Sequence, residues 1–190
     1  MKMKGSRTEQ NLMKAFAGES QARNRYTYAA SVARKEGFIQ ISNIFMETAE
    51  NEREHAKVFY KLLDGGPVEF TATYPAGPAG STAENLLAAA EGELEEWDIL
   101  YKGFAETADE EGFKKVAAAF RKIAEVEAYH ERRYRKLLDN VEKSAVFTKA
   151  GESKWKCLNC GYVHDGASAP KTCPACAHPQ DYFELWVEAY

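Results

Sequence analysis

The sequence predicts a mainly α fold, a four-helix bundle with a long crossover between its second and third helices, followed by a small C-terminal β domain built on a metal. Three observations carry that reading. From Ser6 to Asn140, outside one interruption, the chain has no Pro and is rich in Ala, Glu, Lys, Arg and Leu, with apolar residues three, four and seven apart, the spacing of amphipathic helices. The two halves of that stretch are copies of one another. All four cysteines fall between residues 157 and 176, with none before them.

The elements follow in order. Residues 65–81 hold Gly65, Gly66, Gly77 and Gly80 with Pro67, Pro75 and Pro78, too many breakers for a helix. Seventeen extended residues reach about 56 Å, and a helix over 38–64 is only about 40 Å long, so this segment can run the length of a bundle. Ser6 with Glu9 and Ser81 with Glu84 read as capping boxes at helix starts. Gly37 and Gly112 break each half into a hairpin, and the predicted helices span about 6–35, 38–64, 82–110 and 113–140. Aligning His55 with His130 superposes Phe45, Glu52 and Phe59 on Phe120, Glu127 and Tyr134, and Lys35-Glu36-Gly37-Phe38 on Glu110-Glu111-Gly112-Phe113. Gly18-Glu19 answers Gly92-Glu93 with an offset of one residue. A hairpin repeated once across a long crossover is a bundle of pseudo-twofold symmetry. The expected domains are 1–150 for the bundle and 151–190 for the small domain. The connection from Val141 to Lys154 reads as long enough for the small domain to reach a partner subunit.

Composition narrows the function. With 25 Lys and Arg against 29 Asp and Glu, the 190-residue chain carries about −4, which argues against a nucleic-acid binder working through a basic field. No apolar run approaches the roughly 20 residues that span a bilayer, and Met1 to Gln10 is too polar for a secretory signal. The cytoplasm is the expected compartment.

The chemistry lies on the buried stripes. Glu52 and His55 form Glu-x-x-His in the second helix, and Glu127 and His130 repeat it in the fourth, each pair on one face and one turn apart. Glu19 shares its stripe with Leu12, Phe16 and Tyr26, and the third helix supplies Glu93 and Glu96. Five carboxylates in an apolar core require cations, and a mixed carboxylate and imidazole set suits iron, manganese or zinc over calcium or magnesium. A lone Glu-x-x-His is weak evidence; two in register, each with an upstream Glu, match the di-metal bundle pattern. Glu96 is supernumerary, since the first hairpin has Ala22 in its place. Tyr26 and Tyr101 read as core residues with satisfied hydroxyls, and Arg132, Arg133, Arg135 and Lys136 as a solvated helix face.

Cys157, Cys160, Cys173 and Cys176 form two Cys-x-x-Cys pairs, the spacing of a tetrathiolate metal site. Four thiolates complete a tetrahedron without His164 or His178. So short a module needs the metal's binding energy to fold, and both zinc and iron satisfy that.

The chain resembles the rubrerythrin family along its whole length. The resemblance is carried by Gly18-Glu19-Ser20-Gln21-Ala22-Arg23, Glu52-Arg53-Glu54-His55-Ala56, Cys157-x-x-Cys160-Gly161-Tyr162 and Cys173-Pro174-x-Cys176. It implies a ferritin-like bundle whose di-iron site is formed by Glu19, Glu52, His55, Glu93, Glu96, Glu127 and His130, and a rubredoxin-like domain with one iron on the four cysteines. It also implies a cytoplasmic peroxidase of oxidative stress defence that reduces hydrogen peroxide, homodimeric or larger, fed electrons by rubredoxin or a similar donor and its NADH-linked reductase. His55 and Glu96 carry the catalytic role, with iron bound by His55 when reduced and by Glu96 when oxidised. The rival reading is a ferroxidase or iron-handling ferritin-like protein, which has no evident use for a cysteine domain.

Overall fold

Helix follows helix as the repeat requires in the computed structural model of the chain, which describes residues 2–188. Helix α1 spans Arg7–Lys35 and α2 spans Ile39–Lys61; after the crossover come α3, Thr82–Glu95, α4, Tyr101–Glu110, and α5, Lys114–Glu142. The third predicted helix, 82–110, is therefore not one regular helix. A π-helical turn, Glu96–Leu100, joins α3 to α4. Its cause is legible in the repeat: Tyr26 follows Glu19 by seven residues, whereas Tyr101 follows Glu93 by eight. A π turn absorbs the one extra residue, so that both flanks keep facing the core.

The pseudo-twofold extends to the turns and caps. Gly37 and Gly112 both take a left-handed conformation, φ +84° and +79°, that a side chain would disfavour. The following residue closes the turn in each copy, Phe38 N–H donating to Ala33 O at 2.8 Å and Phe113 N–H to Ala108 O at 2.7 Å. The glutamate just before each glycine reaches across to cap the first helix of the other copy. Glu111 accepts from Thr8 N at 2.8 Å and Thr8 Oγ1 at 2.6 Å, and Glu36 accepts from Thr82 N at 3.0 Å. Carboxylates thus meet the positive end of α1 and of α3.

Two apolar layers fill the interior. One holds Tyr26, Phe45, Leu86 and Tyr134; the other holds Leu12, Phe59, Tyr101 and Phe120. Along α2, Glu52 lies between Phe45 and Phe59, so the polar centre of the bundle is sandwiched between the layers. The crossover runs along α1, where Gln10 Nε2 donates to Glu69 O at 3.0 Å and the Tyr74 hydroxyl to Lys14 O at 2.6 Å. Among the described residues no helix is long and apolar enough to cross a membrane.

The C-terminal module is a three-stranded antiparallel sheet in the order β2-β1-β3, formed by Thr148–Cys157, Val163–Ser168 and Phe183–Leu185. Trp155, Cys157, Ala169, Cys173 and Phe183 form its small core. Because β1 begins at Thr148, the free connection is only residues 143–147, shorter than the 141–154 expected. The module rests on the α1–α2 turn of its own chain: Phe147 stacks on Phe38 with ring centroids 6.3 Å apart, and a Cβ at Gly37 would stand 2.9 Å from the Asp181 carboxyl.

Thr8 above all holds the Glu111 carboxyl below the usual carboxylate range. A group whose folded pKa is depressed adds stability that is present above the ordinary glutamate value and lost as pH falls through the folded one. Glu111→Gln should therefore cost about 1 kcal/mol near neutrality, the usual value of a helix cap. In denaturant titrations the difference from the parent should vanish at acid pH; a constant difference would refute the ionic cap.

Candidate metal centres

In the bundle, six side chains converge from four helices. Glu19, Glu52, His55 and Glu127 each offer a ligand atom within 4.8 Å of one another, and so do Glu52, Glu93, Glu127 and His130. Glu52 and Glu127 belong to both groups, the position that two adjacent ions share. The Glu-x-x-His spacing brings each histidine onto its own glutamate, with His55 Nδ1 2.9 Å from Glu52 Oε2 and His130 Nδ1 2.7 Å from Glu127 Oε2. Each also reaches across the bundle, His55 Nδ1 to Glu127 Oε1 at 2.8 Å and His130 Nδ1 to Glu52 Oε1 at 3.3 Å.

The outer carboxylates are held by the tyrosines, again in pseudo-twofold fashion. Tyr26 Oη donates to Glu93 Oε1 and Tyr101 Oη to Glu19 Oε1, both at 2.5 Å. Each hydroxyl crosses from one hairpin to the other and fixes one oxygen. The second oxygen of each carboxylate, Glu19 Oε2 and Glu93 Oε2, is buried without a hydrogen-bond partner, as are Glu52 Oε1, both Glu127 oxygens and His130 Nδ1. Buried polar atoms are rarely left so. Six such atoms around one centre, close together yet not aligned as hydrogen bonds, are a donor set shaped for cations.

Electrostatics agree. Burial pushes Glu19 and Glu93 well above the usual carboxylate range, with neighbouring carboxylates adding to the rise. Burial also works upward on Glu52, but His130 and His55 outweigh it and hold that group down to about 2. His130 is lifted to about 9 and His55 higher still, because Glu127 and the other carboxylates outweigh their desolvation. Without metal the imidazoles would serve as the cations of the site; ligating histidines must be neutral, so metal binding releases their protons.

Glu96 stands apart from both groups. It begins the π turn, is half-buried, and lines a cavity of about 330 Å³ roofed by crossover residues 71–75. Its Oε1 lies 3.8 Å from where a Cβ on Gly18 would be. Burial and then Glu127 and Glu52 raise its pKa well above normal, while Arg25 acts the other way. Of the seven bundle residues predicted, six are gathered and one is poised beside them.

The four cysteines are gathered as well, and none is in a disulfide. Sγ separations of 3.8 Å for Cys157–Cys176 and 3.7 Å for Cys160–Cys173 match the roughly 3.8 Å edge of a tetrahedron with bonds near 2.3 Å. The two knuckles share one backbone plan: Gly161 N–H donates to Cys157 O at 2.8 Å, and Ala177 N–H to Cys173 O at 2.9 Å. Both residues have positive φ, +81° and +59°. The backbone at His178 lowers the Cys176 thiol to about 6. His164 and His178 stand outside the cluster, the latter packed against Tyr182 at 4.7 Å. The basic face of α5 is engaged with carboxylates: Arg133 pairs with Glu47 at 2.6 Å and Arg135 with Glu131 at 2.7 Å.

Comparison with known proteins agrees with this geometry. Residues 10–138 match the rubrerythrin family model, and residues 155–184 match the model for the rubredoxin-like domain of rubrerythrin. The chain is 64% identical to rubrerythrin of Porphyromonas gingivalis over 96% of its own length and 91% of the relative's. It is 59% identical to rubrerythrin-1 of Clostridium acetobutylicum, over 99% and 98%. Among solved structures, fully reduced, all-ferrous nigerythrin superposes with a TM-score of 0.66 at 32% identity, covering 96% of this chain and 87% of that one. A di-iron carboxylate–histidine site in the bundle and a rubredoxin-like four-cysteine site fit both the family and the nigerythrin structures.

The knuckles differ in one testable respect. Ala177 holds a left-handed conformation that costs a non-glycine residue about 1 kcal/mol or more, and Gly161 at the matching place does not. Ala177→Gly should slow metal loss from the module to a chelator severalfold. An unchanged or faster rate would show that strain at this knuckle does not limit the site.

Proposed function

We propose that this chain, which belongs to the rubrerythrin family, is a non-haem di-iron peroxidase that reduces hydrogen peroxide to water. The observation that carries the proposal is the placement of Glu96, a fifth carboxylate held beside a complete six-ligand cluster at the wall of an open cavity, in a chain that also contains a four-cysteine site. In this reading Glu19, Glu52, His55 and Glu127 hold one iron and Glu52, Glu93, Glu127 and His130 the other, while Cys157, Cys160, Cys173 and Cys176 hold a third. Irons held there would supply the pair of electrons that one peroxide consumes, and an iron on the four cysteines would supply electrons singly.

The residues have distinct tasks. Tyr26 and Tyr101 keep one oxygen of Glu93 and of Glu19 occupied, which leaves the other free to ligate. Oxidation of the pair would raise the buried positive charge from +4 to +6, so an exchange of neutral His55 for anionic Glu96 keeps the centre nearer neutrality. Glu96 and His55 are therefore the residues assigned to the catalytic cycle. Lining the cavity, Glu96 would also pass protons to a leaving oxygen.

Electrons are proposed to come from rubredoxin or a similar donor with its reductase, in the cytoplasm, and to pass between subunits of a homodimer or larger assembly. What supports relay between subunits is the seat of the module on its own chain. It rests at Gly37 and Phe38, about 20 Å along α2 from Glu52 at 1.5 Å per residue, and residues 143–147 are a short tether. A ferroxidase would have no use for this module.

Two experiments test the reading. Deletion of residues 148–190 should leave an iron-loaded helical bundle that reacts with peroxide once and then stalls with reduced rubredoxin as donor; continued turnover at the full-length rate would sink the relay. Glu96→Ala should still bind two bundle irons but lose roughly 10–100-fold in peroxide turnover, the usual cost of removing a supporting group at a metal site. Parental turnover in that variant would remove Glu96 from the mechanism.

A further inference from the structure

Charged departures of each hairpin from the other meet in the cavity under residues 71–75. Glu96 stands in the second copy where the first has Ala22. In the same lining, Arg25 stands in the first copy where the second has Leu100, the residue just before Tyr101 as Arg25 is just before Tyr26. Gly18 and Gly92, counterparts in the repeat, both line the cavity, and so do Lys14 and Glu95, whose counterparts are Ala88 and Gln21. The first copy thus contributes cations and the second anions to a single space.

Arg25 is fixed in that space. Its Nε donates to Gln21 Oε1 at 2.6 Å, one turn back on α1, and its guanidinium carbon lies 5.7 Å from the centre of the Tyr26 ring. Among the described residues it makes no ion pair within 4 Å, so its charge acts across the cavity, where a half-desolvated environment screens it less than bulk water. Glu127 and Glu52 of the ligand cluster act on Glu96 as well, in the opposite sense to Arg25. A carboxylate between a fixed guanidinium and a metal centre is drawn both ways, and the stronger attraction decides where it rests.

We propose that Arg25 is a positioning residue for Glu96: held by Gln21, it favours the carboxylate on the cavity side and so sets how readily Glu96 becomes a metal ligand. This rests on the reading of Glu96 as an exchangeable ligand. Arg25 touches neither the metal cluster nor its six gathered ligands, and it acts through Glu96. Without it, the cavity position loses its counter-charge, Glu96 shifts toward the irons, and the oxidised state, which gains most from an extra anion, is favoured.

The test is a double-mutant cycle on the full-length, iron-loaded protein, read by potentiometric titration of the bundle irons and of the cysteine iron. Arg25→Leu, which copies Leu100, should favour the oxidised bundle irons by up to tenfold, a fall of up to 59 mV for a one-electron couple, and leave the cysteine iron unchanged. Arg25→Lys should restore most of the parental value, and in the Glu96→Ala background Arg25→Leu should shift nothing. Arg25→Gln serves the same purpose if the leucine variant loads poorly. An equal shift with and without Glu96 would show that Arg25 acts on the irons directly, and no shift in either background would remove its role; both overturn the inference. Failure of the underlying reading is recognised separately: Glu96→Ala alone would then leave the bundle potentials unaltered.

Discussion

Four carboxylates and two imidazoles share the centre of this bundle, and their burial is the constraint on which the rest depends. Burial of Glu19, Glu52, Glu93 and Glu127 between two aromatic layers is too costly for bare anions, so the centre is stable only with positive charge inside it. That requirement explains the unpartnered oxygens, the raised imidazoles and the tyrosines that hold one oxygen each. The apolar layers, built around Phe45 with Tyr134 and Phe59 with Phe120, close the site at both ends and make every interaction inside it stronger.

Symmetry makes so costly a centre affordable for a short chain. Repeating one hairpin supplies both Glu-x-x-His pairs, both tyrosines and both outer glutamates, and the same operation lets Glu111 and Glu36 cap the opposite copy's first helix. Every group that must be placed accurately is placed twice by one design. The long crossover follows from this, because a second hairpin related by a twofold can begin only at the far end of the first.

Much of this was legible in the sequence, and for physical reasons. Helix periodicity, the Gly and Pro cluster at 65–81 and the cysteine spacing each have a local cause, so four helices, the crossover and both donor sets could be read directly. The π turn was not read, although its signal was present as the one-residue offset between Gly18-Glu19 and Gly92-Glu93. The exchanged caps were missed because a glutamate beside a glycine is common, and its partner is about a hundred residues away in one case. Strand β1 was taken partly for linker because most of Thr148–Lys154 is solvent-exposed and lacks the alternation that marks a half-buried strand. Nor does the sequence place the module on the α1–α2 turn, since Phe38, Phe147, Gly37 and Asp181 meet only through tertiary geometry.

Several charged departures from symmetry lie together in one cavity. A strictly twofold bundle would give its two metals identical surroundings, and neither would have reason to change ligands before the other. The extra residue between Glu93 and Tyr101 leaves both of those side chains in their symmetric places and confines the irregularity to Glu96–Leu100, where the hydrogen-bond ladder of the helix has already been reset. Glu96 enters at that point and shares a cavity with the guanidinium of Arg25. The asymmetry is thereby introduced beside the centre, while the groups that satisfy the buried charge remain where the repeat puts them.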